Sequence, residues 1–119
     1  MASVCLITPD NFAKEVVSGQ EPILILCMPS DEQFSLQLKV LEEIAERYFE
    51  KLKVGWLKET FLETFKKNMN ICGTPTFLIM LHGKEINRML GIADQQTLAD
   101  FVIRSLRITD ERSNNDKHE

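Results

Sequence analysis

Seven residues decide most of what this chain can fold into. Pro22-Ile23-Leu24-Ile25-Leu26-Cys27-Met28 is apolar throughout and never alternates with polar side chains. A strand with one face in water alternates, so an unbroken run of this kind reads as a strand covered on both faces. Such strands belong to parallel or mixed sheets with helices on each side. The run is far too short to cross a bilayer. With 119 residues in all, the chain holds one domain built around one core.

The flanking segments supply the expected helices and partner strands. Val4 to Ile7 is a short β-type run, and Thr8-Pro9-Asp10 can start a helix with Thr8 as its cap and proline in its first turn. That helix places Phe12, Val16 and Val17 at helical spacing and stops at Gly19. After Pro29, Ser30-Asp31-Glu32-Gln33 has the spacing of a capping box for the longest helix, whose stripe is Phe34, Leu38, Leu41, Ile44, Ala45 and Tyr48. Leu52 to Leu57 reads as a third strand. Thr60-Phe61-Leu62-Glu63 has the spacing of a second capping box, with Phe61, Leu62 and Phe65 inward. Thr76 to Leu81 and Glu85 to Leu90 form a hairpin about His82-Gly83-Lys84, and Gly91 suggests a bulge or a close backbone approach. Asp94 can cap a last helix carrying Leu98, Phe101, Val102 and Leu106. The order is β-α-β-α-β-α-β-β-α, an α/β fold with a mixed central sheet and helices on both faces. Residues 1–107 make the domain, and 108–119 are expected to be a disordered polar tail.

Composition removes several functions. The formal net charge is −4, from 14 Lys+Arg against 18 Asp+Glu, which gives no electrostatic reason to bind nucleic acid or a membrane surface. Three cysteines are an odd number, which argues against a secreted disulfide scaffold and for a cytoplasmic setting. No basic leader followed by an apolar stretch opens the sequence. No Cys/His/acid spacing matches a metal site, and no P-loop, dinucleotide fingerprint or nucleophile elbow is present, so no cofactor is expected.

From Leu6 to Leu106 the chain resembles thioredoxin. The resemblance rests on Leu6-Ile7-Thr8-Pro9-Asp10-Asn11-Phe12, Pro22 to Cys27, Leu41-Glu42-Glu43-Ile44-Ala45, Gly73-Thr74-Pro75-Thr76 and Gly91-Ile92, which are specific through their joint spacing. It implies a thioredoxin fold in which Pro75 is the cis-proline facing the site. Thr74 would then offer backbone groups to an extended peptide. It also implies that Met28, Pro29, Thr74, Pro75, Gly91 and Ile92 surround a peptide groove, with Met28 and Ile92 giving apolar contact.

One departure matters more than the matches. Where the family carries Cys-x-x-Cys at the tip of the long helix, this chain reads Asp31-Glu32-Gln33-Phe34. Dithiol exchange needs one sulfur to attack and a second to resolve. A carboxylate does neither, so dithiol–disulfide oxidoreductase activity is not expected. The family's buried acid corresponds to Ile25 and its partner lysine to Trp56, which makes an apolar pair without charge to desolvate. Asp31 and Glu32 suit a helix N-terminus and would favour a partner with basic residues. The expected function is a redox-inactive module binding a protein or extended peptide. Among the thiols, Cys5 reads as a small buried residue and Cys27 as core. Cys72, beside the Gly-Thr-Pro loop, is the candidate for an alternative thiol-dependent oxidoreductase or redox sensor, with or without Cys27. Sequence leaves the oligomeric state open.

Overall fold

The computed structural model describes residues 3–117, with side chains as far as Glu111. β2 (Ile23–Cys27) lies at the centre of a five-stranded sheet, and every one of its side chains is buried. β3 (Lys53–Leu57) pairs with it in parallel and β4 (Thr76–Leu81) antiparallel. β1 (Cys5–Ile7) extends the sheet beyond β3, and β5 (Lys84–Leu90) extends it beyond β4, giving the order β1-β3-β2-β4-β5. The unbroken apolar run is explained directly: α1 (Phe34–Arg47) and α3 (Gln95–Lys117) cover one face, and a single π-helical turn (Ala13–Val17) with α2 (Glu59–Met69) covers the other.

Each face has its own core. Leu24, Leu26, Phe77 and Ile79 meet Leu41, Ile44, Leu98 and Phe101. On the opposite side Ile23, Ile25, Cys27 and Leu78 meet Val16, Leu62 and Phe65. Gly55 is the tight point of the sheet, because a Cβ there would come within 2.7 Å of the Cys5 carbonyl oxygen. The hairpin closes on His82 (φ 54°) and Gly83 (φ 79°), a two-residue turn whose paired positive φ angles match strand twist.

Several local expectations shift. Ser30 does not cap α1: the helix starts at Phe34, and the Asp31 Oδ1 accepts the Gln33 N–H at 2.9 Å instead. Thr60 lies inside α2, whose N-cap Lys58 makes no side-chain bond. Thr8 exchanges hydrogen bonds with Asn11 at 2.8 and 3.3 Å, but the helical turn begins only at Ala13 with Phe12 as its N-cap, so Thr8 closes the preceding turn and does not cap a helix. Asp94 accepts the Thr97 N–H at 2.8 Å. Gly91 is neither bulge nor close approach. A Cβ there would meet nothing within 4 Å, so glycine serves its φ of 114°, and the register irregularity sits at Ile79/Met80. Helix α3 does not end at Arg107 but runs on to Lys117. The extension has an anchor that a purely polar reading of the tail overlooks, since Ile108 is half-buried and Thr109 is buried with its hydroxyl donating to Leu106 O at 2.7 Å. Residues 118 and 119 lie outside the described residues.

Candidate functional site

The site forms where three segments meet at the C-terminal end of β2: the tip of α1, the loop before β4, and the loop after β5. The Thr74–Pro75 peptide bond is cis, in agreement with the resemblance. Pro75 is buried and Thr74 exposed, and no hydrogen bond engages the N–H or C=O of Thr74 among the described residues. Two contacts hold this arrangement. The Gly91 N–H donates to Pro75 O at 2.8 Å, and the Thr76 hydroxyl donates to Gly73 O at 2.7 Å. Ile92 follows Gly91 directly and is 53% exposed.

Sequence reasoning missed the residue that locks the third segment in place. Gln37 is buried in α1, and its amide exchanges two hydrogen bonds with Ala93: Nε2 donates to Ala93 O at 2.9 Å, and Oε1 accepts the Ala93 N–H at 3.0 Å. A side-chain amide thereby imitates a strand partner and ties the first turns of α1 to the loop carrying Ile92. A polar residue in phase with Phe34 and Leu41 on the inward stripe was the available signal.

At the tip, Asp31, Glu32 and Gln33 are exposed, and Pro29 is half-buried. Phe34 turns inward, with its ring centroid 6.4 Å from that of Trp56 and the planes at 59°. The expected apolar pair of Ile25 and Trp56 does not exist. Leu26 is the register partner of Trp56, and Ile25 faces the other core beside Cys27 and Leu78. Leu26 therefore stands where a partner of position 56 must stand, one residue along from the correspondence drawn on sequence. Met28 is a second correction: at 3% exposure it belongs to the core on the α1 side and offers no contact surface. Its place is taken by residues the sequence reading passed over. Leu90 is 67% exposed and borders the loop, since a Cβ on Gly73 would lie 3.2 Å from it. Leu36, 66% exposed, stands out of phase with the buried stripe of α1.

The thiols are all free and differ sharply. Cys27 is buried, and desolvation pushes its pKa up to about 12, against a smaller downward pull from Arg88. Cys5 is half-buried rather than buried, on an edge strand, with its pKa raised by desolvation and by Glu15. Cys72 is exposed, and its Sγ lies 3.9 Å from Asn70 O. Sequence showed no cation next to Cys72, but the fold brings one. Arg88 on β5 donates to the same Asn70 oxygen at 3.2 Å and to Met69 O at 2.8 Å, closing the C-terminal end of α2. Glu85 holds Arg88 through a double contact, and the hydrogen bond from Arg88 lowers the Glu85 pKa.

A thioredoxin-type sheet with a cis-proline loop beside the tip of α1 defines the class. The comparisons agree. The thioredoxin of Buchnera aphidicola subsp. Schizaphis graminum is 30% identical over 119 residues, covering 90% of this chain and all of the relative. The thioredoxin of Griffithsia pacifica is 25% identical over 108 residues, with 90% and 99% covered, and thioredoxin C-2 of Corynebacterium nephridii is 26% identical over 106, with 85% and 94% covered. No protein-family model matches the chain. The chain belongs to the thioredoxin family.

Proposed function

We propose that this chain binds an extended segment of a protein partner at the cis-proline loop and does so without dithiol exchange. The observation that carries the reading is Thr74, exposed beside a cis peptide bond with both its backbone groups free to pair. Leu90 and Ile92 supply apolar contact on one side, and Asp31 and Glu32 favour a basic residue on the other. No helix of the described residues is long and apolar enough to cross a membrane. Affinity capture with the wild type and with Thr74→Arg tests the groove. A partner retained by the wild type and lost by the variant supports it; equal recovery of the same partner by both removes it.

A second reading rests on Cys72. Its exposure and the Arg88 guanidinium sharing its carbonyl neighbour favour thiol-dependent redox sensing at the same loop. Rapid modification of Cys72 by iodoacetamide at neutral pH, together with reduction of insulin by a dithiol through this protein, would favour that reading over passive binding.

A further inference from the structure

We propose that Arg88 is the positioning residue that holds the Thr74 loop ready to bind, an inference that rests on the groove reading above. The loop has little of its own to fix its shape. No hydrogen bond engages the N–H of Cys72, Gly73 or Thr74 among the described residues, so the grips on its two ends set its course. β5 supplies a grip at each end. At the far end the Gly91 N–H donates to Pro75 O at 2.8 Å, and Leu90 lies against Gly73. At the near end Arg88 Nη2 donates to Met69 O at 2.8 Å and Nη1 to Asn70 O at 3.2 Å. Arg88 and Leu90 are two residues apart on one strand, so both side chains stand on the same face. That face is the α2 side, where Leu78, the register partner of Arg88, enters the core. One strand thereby spans the loop from Met69 to Pro75.

The guanidinium is itself held. Nε donates to Glu85 Oε2 at 2.7 Å and Nη2 meets Glu85 Oε1, so the carboxylate fixes the fork while other N–H groups reach the two carbonyls. Charge at the end of α2 does not require this residue, because Lys66 and Lys67 already stand in its last turn. Arg88 adds direction: one planar group joins β5, through Glu85, to two successive carbonyls of α2. A segment pairing with Thr74 then meets a loop that is already ordered, which lowers the ordering cost of binding.

Amide exchange of the full chain, followed by NMR, reads the grip without any partner. The Ile71 N–H donates to Lys66 O at 2.8 Å, just beyond the carbonyls that Arg88 holds. In Arg88→Ala the Ile71 and Gly91 amides should exchange at least about tenfold faster than in the wild type, while the amides of β2 change less. Arg88→Lys keeps the charge without the fork and should exchange like Arg88→Ala. The partner that the wild type retains and Thr74→Arg loses should bind Arg88→Ala at least about fivefold more weakly. Unchanged loop exchange, equal acceleration at the β2 amides, full rescue by lysine, or unchanged affinity with a loosened loop overturns the proposal and leaves the groove standing. A wild type that retains no partner removes the groove and the proposal together.

Discussion

The tip of α1 and the loop before β4 face each other across one site, yet they depart from the family very differently. The loop keeps its geometry: a cis bond before Pro75, an exposed Thr74, and anchoring from Gly91. The tip reads Asp31-Glu32-Gln33-Phe34 without a sulfur, begins its helix after an Asp31 turn, and folds Phe34 inward onto Trp56. The difference teaches that the positioning half of such a site and its chemical half are physically separable. Positioning depends on backbone hydrogen bonds and on remote anchors such as Gln37. Exchange chemistry depends on two sulfur side chains, one to attack and one to resolve, and under the proposed function this chain works without it.

The largest expected contrast is between the two thiols that flank this divide. Cys27 ends β2 beneath the tip, and burial pushes its pKa up to about 12, which keeps it in the unreactive thiol form at neutral pH. Cys72, on the loop side, is exposed. Iodoacetamide followed by mass spectrometry should label Cys72 in the native protein and label Cys27 only after denaturation. Equal labelling rates would mean that the β2 end opens readily, and the comparison between a closed tip and an open loop would fail.

Restoring sulfur to the tip tests separability itself. Asp31→Cys with Phe34→Cys returns the spacing that exchange needs, and dithiol-driven insulin reduction should rise from background to a measurable rate. Removing the Phe34 ring from Trp56 is expected to cost about 2 kcal/mol, which chemical denaturation would read. A folded double variant that remains inactive would show that the tip backbone, and not only its side chains, has moved away from exchange geometry.

The fold was legible because its strongest signal is energetic. An apolar run without alternation demands cover on both faces, and β2 receives it. The same property hid the register. With apolar side chains on both faces, a one-residue slip leaves no polar residue in the core to betray it, and so Ile25 was paired with Trp56 where Leu26 belongs. Met28 was misplaced for a related reason, since adjacency to a loop says nothing about which way a side chain points. Thr74 and Pro75 were read from a local motif. Gln37 and Arg88 act through partners 56 and 18 or 19 residues distant; the phase of Gln37 with Phe34 and Leu41 signals its burial, but neither sequence position reveals its partner.

Gln37 sharpens the comparison further, because it is the link between the altered tip and the retained loops. Gln37→Leu keeps the volume and leaves the Ala93 N–H and C=O buried without partners. The expected loss is about 2 kcal/mol in urea denaturation. If positioning depends on this link, the variant should also bind the captured partner less tightly while Cys72 labelling stays unchanged. A stability loss without any change in binding would confine Gln37 to packing.

The smallest effect concerns the helix that follows the loop. Asp94 accepts the Thr97 N–H, and this hydrogen bond is the main reason its pKa lies below the ordinary value of 3.8. A carboxyl group with a depressed folded pKa binds fewer protons folded than unfolded, so stability rises with pH through that window. The contribution is complete above the ordinary carboxylate range and disappears as pH falls through the depressed folded value. Wild type should therefore exceed Asp94→Ala in thermal stability at pH 7, by less than the Gln37 effect, and the gap should close as acid is added below pH 3.8. A gap independent of pH would mean that Ala at position 94 disturbs the turn between Ile92 and α3 rather than the cap. The loop side of the site would then depend on local backbone shape more than on the charge that begins α3.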